Sequence, residues 1–356
     1  MKKWIALLLA CAMALSLCAC GKDDTKDPTD APTATDGENN NNGNNNNGNN
    51  NNDNNETTGF DLLKNVTVRY GDGEDSESIE MKIQYDEDFN IVGCKAYKDG
   101  KLYSEITCDK VTSKTLTQVD YDEDGGIAHC YAYTYDENGN ELTTVCTDGD
   151  GNVQYSSTNT YTSAGLLETS TTNWGDGSSW YTYTYDDQGN KLSERSGSGE
   201  EIWADVTYNN IYEAGKLVEV QANQDGRLRW SERYDADGNL IAEYSFDDDG
   251  EAFSYTVYTY ENGKLKLRVI YNEEDESFRE EYTYNADGQL TEVRSFDEGE
   301  LHGSEAYTYE NGSLVNVKLY DHEELEGEYT LSYEKADVSD AQAEKLTALY
   351  TLLMEF

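Results

Sequence analysis

Between about Leu62 and Lys335 the chain keeps returning to one phrase: alternating Tyr and Thr, an acidic turn with Gly, then Leu. A phrase recurring at near-constant spacing commits a chain to stacking one small unit on the next, because no single unit can bury a face alone. Clear copies are Tyr-Asp-Glu-Asn-Gly-Asn-Glu-Leu from Tyr135 and Tyr-Asp-Asp-Gln-Gly-Asn-Lys-Leu from Tyr185. Shorter ones start at Tyr234, Tyr260, Tyr284 and Tyr309. The residue before each turn serves as a marker. The markers are Tyr85, Cys108, Tyr135, Tyr161, Tyr185, Tyr212, Tyr234, Tyr260, Tyr284, Tyr309 and Tyr333, about 25 residues apart. Cys108 is placed by spacing more than by motif.

Each interval holds a second turn about halfway, as at Lys98-Asp99-Gly100, Gly175-Asp176-Gly177 and Asp225-Gly226. Asn-Gly and Asp-Gly supply the backbone angles of tight turns, so each interval reads as two strands and the array as roughly 20. Alternation assigns the faces. In Tyr131-Ala132-Tyr133-Thr134-Tyr135 and Tyr181-Thr182-Tyr183-Thr184-Tyr185 the tyrosines share one face, and small or Thr residues share the other. Tyrosine rings pack well across strands. Aliphatic residues are scarce, and a long sheet twists. The expected fold is therefore all-β: an elongated, curled or spiral antiparallel hairpin sheet over 59–336, Tyr face inward. At the C-terminus, Ser339-x-x-Gln342 has the form of a capping box. Leu346, Leu349, Tyr350, Leu353 and Phe356 recur at helical spacing, so 337–356 reads as an amphipathic helix capping the array.

The N-terminus predicts a compartment. Lys2 and Lys3 precede an apolar run, Trp4 to Leu17, too short to span a bilayer, and Leu17-Cys18-Ala19-Cys20-Gly21 has the layout of a lipobox. Residues 1–19 then form a lipoprotein signal peptide, and Cys20 becomes a lipidated N-terminus holding the membrane. From 20 to 58 the chain is mainly Asn with Gly, Thr, Pro and Asp, which reads as a flexible linker. The expected location is extracytoplasmic, at the cell surface.

With 26 Lys+Arg against 72 Asp+Glu, the net charge of −46 would repel nucleic acid and anionic membrane surfaces. Cys94, Cys108, Cys130 and Cys146 lie in the array with no Cys-x-x-Cys spacing, so no zinc site is expected. A three-residue loop at Asp136–Asn140 would pair Cys130 with Cys146 directly. That suits either a disulfide or two small residues packed in strands.

The phrase Tyr-Asp-x-x-Gly-x-Leu, with a further Tyr-x-Tyr before the next turn, resembles the YD repeat of bacterial Rhs proteins and teneurins over most of 85–315. The resemblance implies hairpins wound into a spiral sheet. The Asp-Pro-rich end motif of that family is absent, because Pro28 and Pro32 are the only prolines and both lie in the linker.

No catalytic constellation emerges. His129, His302 and His322 are dispersed in sequence, and Gly-x-Ser-x-Gly, His-Glu-x-x-His and phosphate-loop patterns are missing. Asp148-x-Asp150-x-Asn152 and Asp235-x-Asp237-x-Asn239 mimic half a calcium loop, but turn chemistry accounts for them and no metal or cofactor is expected. Trp174 and Trp180 flank the turn Gly175 to Ser179, Trp180 and Trp203 fall off the Tyr face, and all three are candidates for stacking on a ligand, against the alternative of packing across strands. The expectation is a noncatalytic binding or adhesive scaffold for carbohydrate or protein. The alternatives are an envelope structural or immunity-type protein with one partner and, behind both, a glycan hydrolase.

Overall fold

In the computed structural model, which describes residues 58–71, 76–108, 115–175, 177–344 and 346–347, 22 strands form a single antiparallel sheet. The signal segment, Cys20, nearly all of the linker, and residues 348–356 with Leu349, Tyr350, Leu353 and Phe356 lie outside the described residues. Each strand pairs with its sequence neighbour. The first, β1 (Thr58–Tyr70), also pairs with the last, β22 (Glu324–Val338), from Thr58↔Val338 to Tyr70↔Gly327. The ring is thereby closed. An elongated spiral, expected from the repeat, is replaced by a barrel in which the seam satisfies both edges that a spiral would leave bare.

The marker residues lie at the ends of even-numbered strands or one residue inside them, with Tyr333 five residues inside β22, and so gather at one rim, here the tyrosine rim. Cys108 is among them, closing the fourth strand as its spacing required. The halfway turns form the opposite, far rim. The chain enters β1 and leaves β22 at the tyrosine rim.

Alternation places the tyrosines on the more buried face, together with Val68, Ala96 and Ile106, which are fully buried. A one-layer sheet can cover such residues only by turning them toward its own opposite wall, so the Tyr face looks inward. The aliphatic part of that lining is concentrated at the seam and in the strands that follow it, through Ile91, Ile106 and Leu116. Leu63, Val66 and Val68 of β1 pack with Met81 and Ile83 of β2 (Glu77–Tyr85) and with Leu331 of β22. The outer face carries ion pairs such as Lys95–Glu105 at 2.9 Å and Arg195–Asp205 at 3.1 Å. This reverses the pattern of a lipid-spanning barrel, whose outer face must be an apolar band.

Nearly every described hairpin carries a β-bulge next to its turn. Between β6 (Ile127–Tyr135) and β7 (Glu141–Asp148), Tyr135 pairs with Glu141, but Thr134 pairs with Thr143 and Leu142 is the extra residue. The same insertion follows Tyr85, Tyr161, Tyr185, Tyr212, Tyr234, Tyr260, Tyr284 and Tyr309. It corrects the cysteine pairing. The turn at Asp136–Asn140 forms as expected, with the Asp136 N–H donating to the Asn140 carbonyl at 2.9 Å. The extra residue then slips the register by one and flips the face. Cys130 faces Thr147 and Tyr131 faces Cys146, so the two thiols point to opposite sides of the sheet and both are free.

The helix begins later than expected, because β22 runs to Val338. Residues 340–344 and 346–347 are helical. The capping box forms reciprocally: the Ser339 N–H donates to Gln342 Oε1 at 2.9 Å, and the Gln342 N–H to Ser339 Oγ at 3.4 Å. Leu346 packs on Leu62 and Val338 with Phe60, Phe89 and Ala343 around it, and Gln342 Nε2 donates to the Asp88 carbonyl at 3.1 Å. The helix therefore sits on the tyrosine rim, across the seam.

Candidate binding rim

At the tyrosine rim the repeat phrase is spent on structure. A bulge opens the ladder beside the turn and leaves a carbonyl on the returning strand short of a partner. The marker tyrosine of the next even strand reaches across to supply one. Tyr161 Oη donates to the Glu141 carbonyl at 2.8 Å, Tyr185 Oη to Leu167 at 2.7 Å, and Tyr284 Oη to Leu265 at 2.9 Å. Tyr85, Tyr260 and Tyr333 do the same to Leu63, Leu240 and Leu314.

The acidic turns are closed on themselves. Asp136 Oδ1 accepts the N–H groups of Asn138 and Asn140, and Asn140 Nδ2 donates to Oδ2. Burial works against the ionised Asp136, but these hydrogen bonds outweigh it and hold the carboxyl below its usual range. The calcium-like runs are built alike. Asn152 Nδ2 donates to Asp148, Asn239 Nδ2 donates to Asp235, and both carboxyls are held low by those bonds. Among the described residues no group of three or more His, Cys, Asp or Glu is placed to hold a metal ion.

The far rim differs. Among the described residues the large apolar side chains left exposed are Tyr103, Ile127, Val153, Trp174, Leu192, Ile202, Trp203, Phe253 and Leu325, and all except Leu192 lie at this rim. Bulges again decide the presentation, because the extra residue is re-aimed off the ladder. Tyr103, Trp203, Phe253 and His302 are those extra residues in their hairpins.

Of the sequence-predicted stacking residues, Trp174 and Trp203 stand exposed at 46% and 50%. Trp180 does not. It pairs with Gly197, and a Cβ there would meet its ring at 2.7 Å, while its Nε1 donates to the Gly199 carbonyl at 3.0 Å. It packs across the strands, with the missing Gly197 side chain making room. The structure also joins two histidines the sequence left apart. The rings of His302 and His322 meet edge-on at 6.0 Å on neighbouring far-rim hairpins, and His322 Nδ1 lies 2.8 Å from Asp321 Oδ1. Repeat spacing could have found this pair, since each sits beside a halfway turn.

Within the barrel the tyrosines pair with carboxylates. Tyr208 Oη donates to Glu194 at 3.3 Å and Tyr282 Oη to Glu280 at 3.0 Å, and Tyr234, Tyr258 and Tyr307 bond Glu232, Glu243 and Glu305. Burial, with Glu194 nearby, pushes the Tyr208 hydroxyl up to about 12, and burial likewise raises Tyr234, Tyr258, Tyr282 and Tyr307.

No family model matches this sequence, and no curated protein does. Solved structures that the comparison returns include TcdB2-TccC3, at 12% identity and TM-score 0.32, covering 74% of this chain and 19% of that one. A porin-like protein from Bacteroides uniformis ATCC 8492 is 13% identical at TM-score 0.30, covering 78% of this chain and 99% of that one. TarM is 13% identical over 28% of this chain at TM-score 0.16. The chain thus spans about a fifth of the TcdB2-TccC3 chain.

Proposed function

We propose that this protein is a noncatalytic, lipid-anchored cell-surface scaffold that binds carbohydrate or protein through its far rim. One observation carries the reading: the chain enters the barrel at the tyrosine rim, and the exposed aromatic and aliphatic side chains gather at the other. A tether running from Cys20 to Thr58 would therefore hold the barrel with its sticky end pointing away from the membrane. The tyrosine rim, by contrast, is engaged in its own hydrogen bonds and covered at the seam by the helix. We read the array as a YD-type repeat whose sheet has closed on itself. The Asp turn and the marker tyrosine that fills a carbonyl give the repeated residues a common structural task.

The test joins anchor and rim. Cys20→Ala should release the protein from membranes. On immobilised ligand arrays, Trp203→Ala with Trp174→Ala should lower binding where Leu192→Ala, at the tyrosine rim, does not. Membrane retention of Cys20→Ala would remove the anchor, and equal binding by all the rim variants would remove the far rim.

A further inference from the structure

We infer that the far rim binds an extended, uncharged polysaccharide chain along one arc of five successive hairpins. This rests on the scaffold reading above and deepens it by naming the ligand class. Tyr103, Ile127, Val153, Trp174 and the pair Ile202–Trp203 each rise from a different hairpin, and those five hairpins follow one another around the ring. Successive hairpins at one rim are two strands apart, so neighbouring contacts recur about every 10 Å. Two linked pyranose rings are about that long, and their C–H faces stack on aromatic and aliphatic side chains. An extended peptide offers same-side residues about every 7 Å, which drifts out of phase within two contacts. The spacing therefore favours a sugar chain over a strand-like peptide.

The turns between these contacts supply the other half of the chemistry. Asp99, Asp122 and Asp148 are taken up by hydrogen bonds within their own hairpins, but the carboxylates of Glu123, Asp124 and Asp150 stand exposed beside them and can accept from hydroxyl groups. A shallow hollow beside Tyr103 is lined by Lys101, Leu102, Tyr121 and the turn Asp122–Gly125. Lys101 donates its Nζ to the Glu123 carbonyl at 3.4 Å, so the nearest cation is turned into the loop. Such a surface accepts hydroxyls and repels sulfated or phosphorylated chains.

The experiment uses the soluble form of the chain starting at Gly59 and its rim variants, each checked for unchanged circular dichroism. Calorimetric titration is run with neutral β-linked glucose and N-acetylglucosamine oligomers of increasing length, beside a sulfated chain. Affinity should climb with length until the arc is filled, and the sulfated chain should not bind. Trp203→Ala should weaken the longest oligomer about tenfold, the scale of one aromatic stacking contact. Phe253→Ala, exposed at the same rim but outside the arc, should change nothing. Length-independent affinity, or an equal loss in Phe253→Ala, overturns the arc. If no oligomer binds, the glycan assignment falls. The scaffold reading survives that result only if a purified protein ligand binds and loses affinity in Trp203→Ala.

Discussion

Tyrosine is chosen at the marker positions for its hydroxyl as much as for its ring. Tyr185 buries its ring against the preceding strand and spends its proton on the Leu167 carbonyl. Tyr185→Phe keeps the ring and orphans the carbonyl, a loss of about 1 kcal/mol on the scale of ordinary hydrogen bonds. Chemical denaturation should detect it, whereas Tyr181→Phe, which precedes the turn on the same face, should cost less. A second residue-scale expectation concerns Ala214, which holds φ at 50° in a two-residue turn with Gly215. The equivalent turns place Asn262 and Asn311 there at φ 53° and 52°. Since Asn tolerates left-handed backbone and Ala does not, Ala214→Asn should stabilise the fold by about 0.5–1 kcal/mol, read as a rise in melting temperature.

Among the elements, the helix is the piece that only tertiary contact can hold, since its described residues are too few to be stable alone. Leu346 is its anchor, 3% exposed against Leu62 and Val338. Leu346→Ala should cost about 2–4 kcal/mol and loosen the β1–β22 seam first, which hydrogen exchange at Leu62 and Tyr333 would resolve. The elements also divide what a sequence can tell from what it cannot. Turns, strand faces and the capping box were legible, because Asn-Gly pairs, Tyr/Thr alternation and Ser339–Gln342 act within a few residues. The bulges were not. Leu142 carries no local mark as an extra residue, and the cost of inserting it is set by cross-strand twist. Missing it put Cys130 opposite Cys146, when one residue of slip sends them to opposite faces. At the candidate site, parity sets Trp180 and Trp203 off the Tyr face, but the berth that Gly197 makes for Trp180 lies on the neighbouring strand and has no local mark in the sequence.

At the scale of the molecule, the buried phenols tie stability to alkaline pH. Their folded-state affinities for the proton are raised, Tyr208 to about 12, whereas an unfolded tyrosine titrates near 10. The folded state thus holds protons the unfolded chain would release. The resulting stability is complete below about pH 10 and is lost as pH climbs through the folded values. Alkaline titration should show phenolate absorbance appearing together with loss of β-sheet circular dichroism. Free titration of the phenols with the sheet intact would contradict their burial. Ring closure was the one large feature beyond the reach of sequence, because Thr58 and Val338 meet across the whole array and no short-range pattern announces their pairing.

That meeting of the two ends means the barrel has no privileged starting point. Every strand already has two neighbours, so the place where the backbone is cut is a matter of genetics rather than of architecture. Joining residue 58 to 338 by a short linker and reopening the chain at Gly175 should give a circular permutant with the same 22 pairings. The β9 (Leu167–Trp174) to β10 (Gly177–Tyr185) hairpin there is exposed at its turn and carries no bulge to lose. Such a permutant should match the parent in circular dichroism and hydrodynamic radius, while the same rearrangement of an open spiral would leave two halves joined the wrong way round.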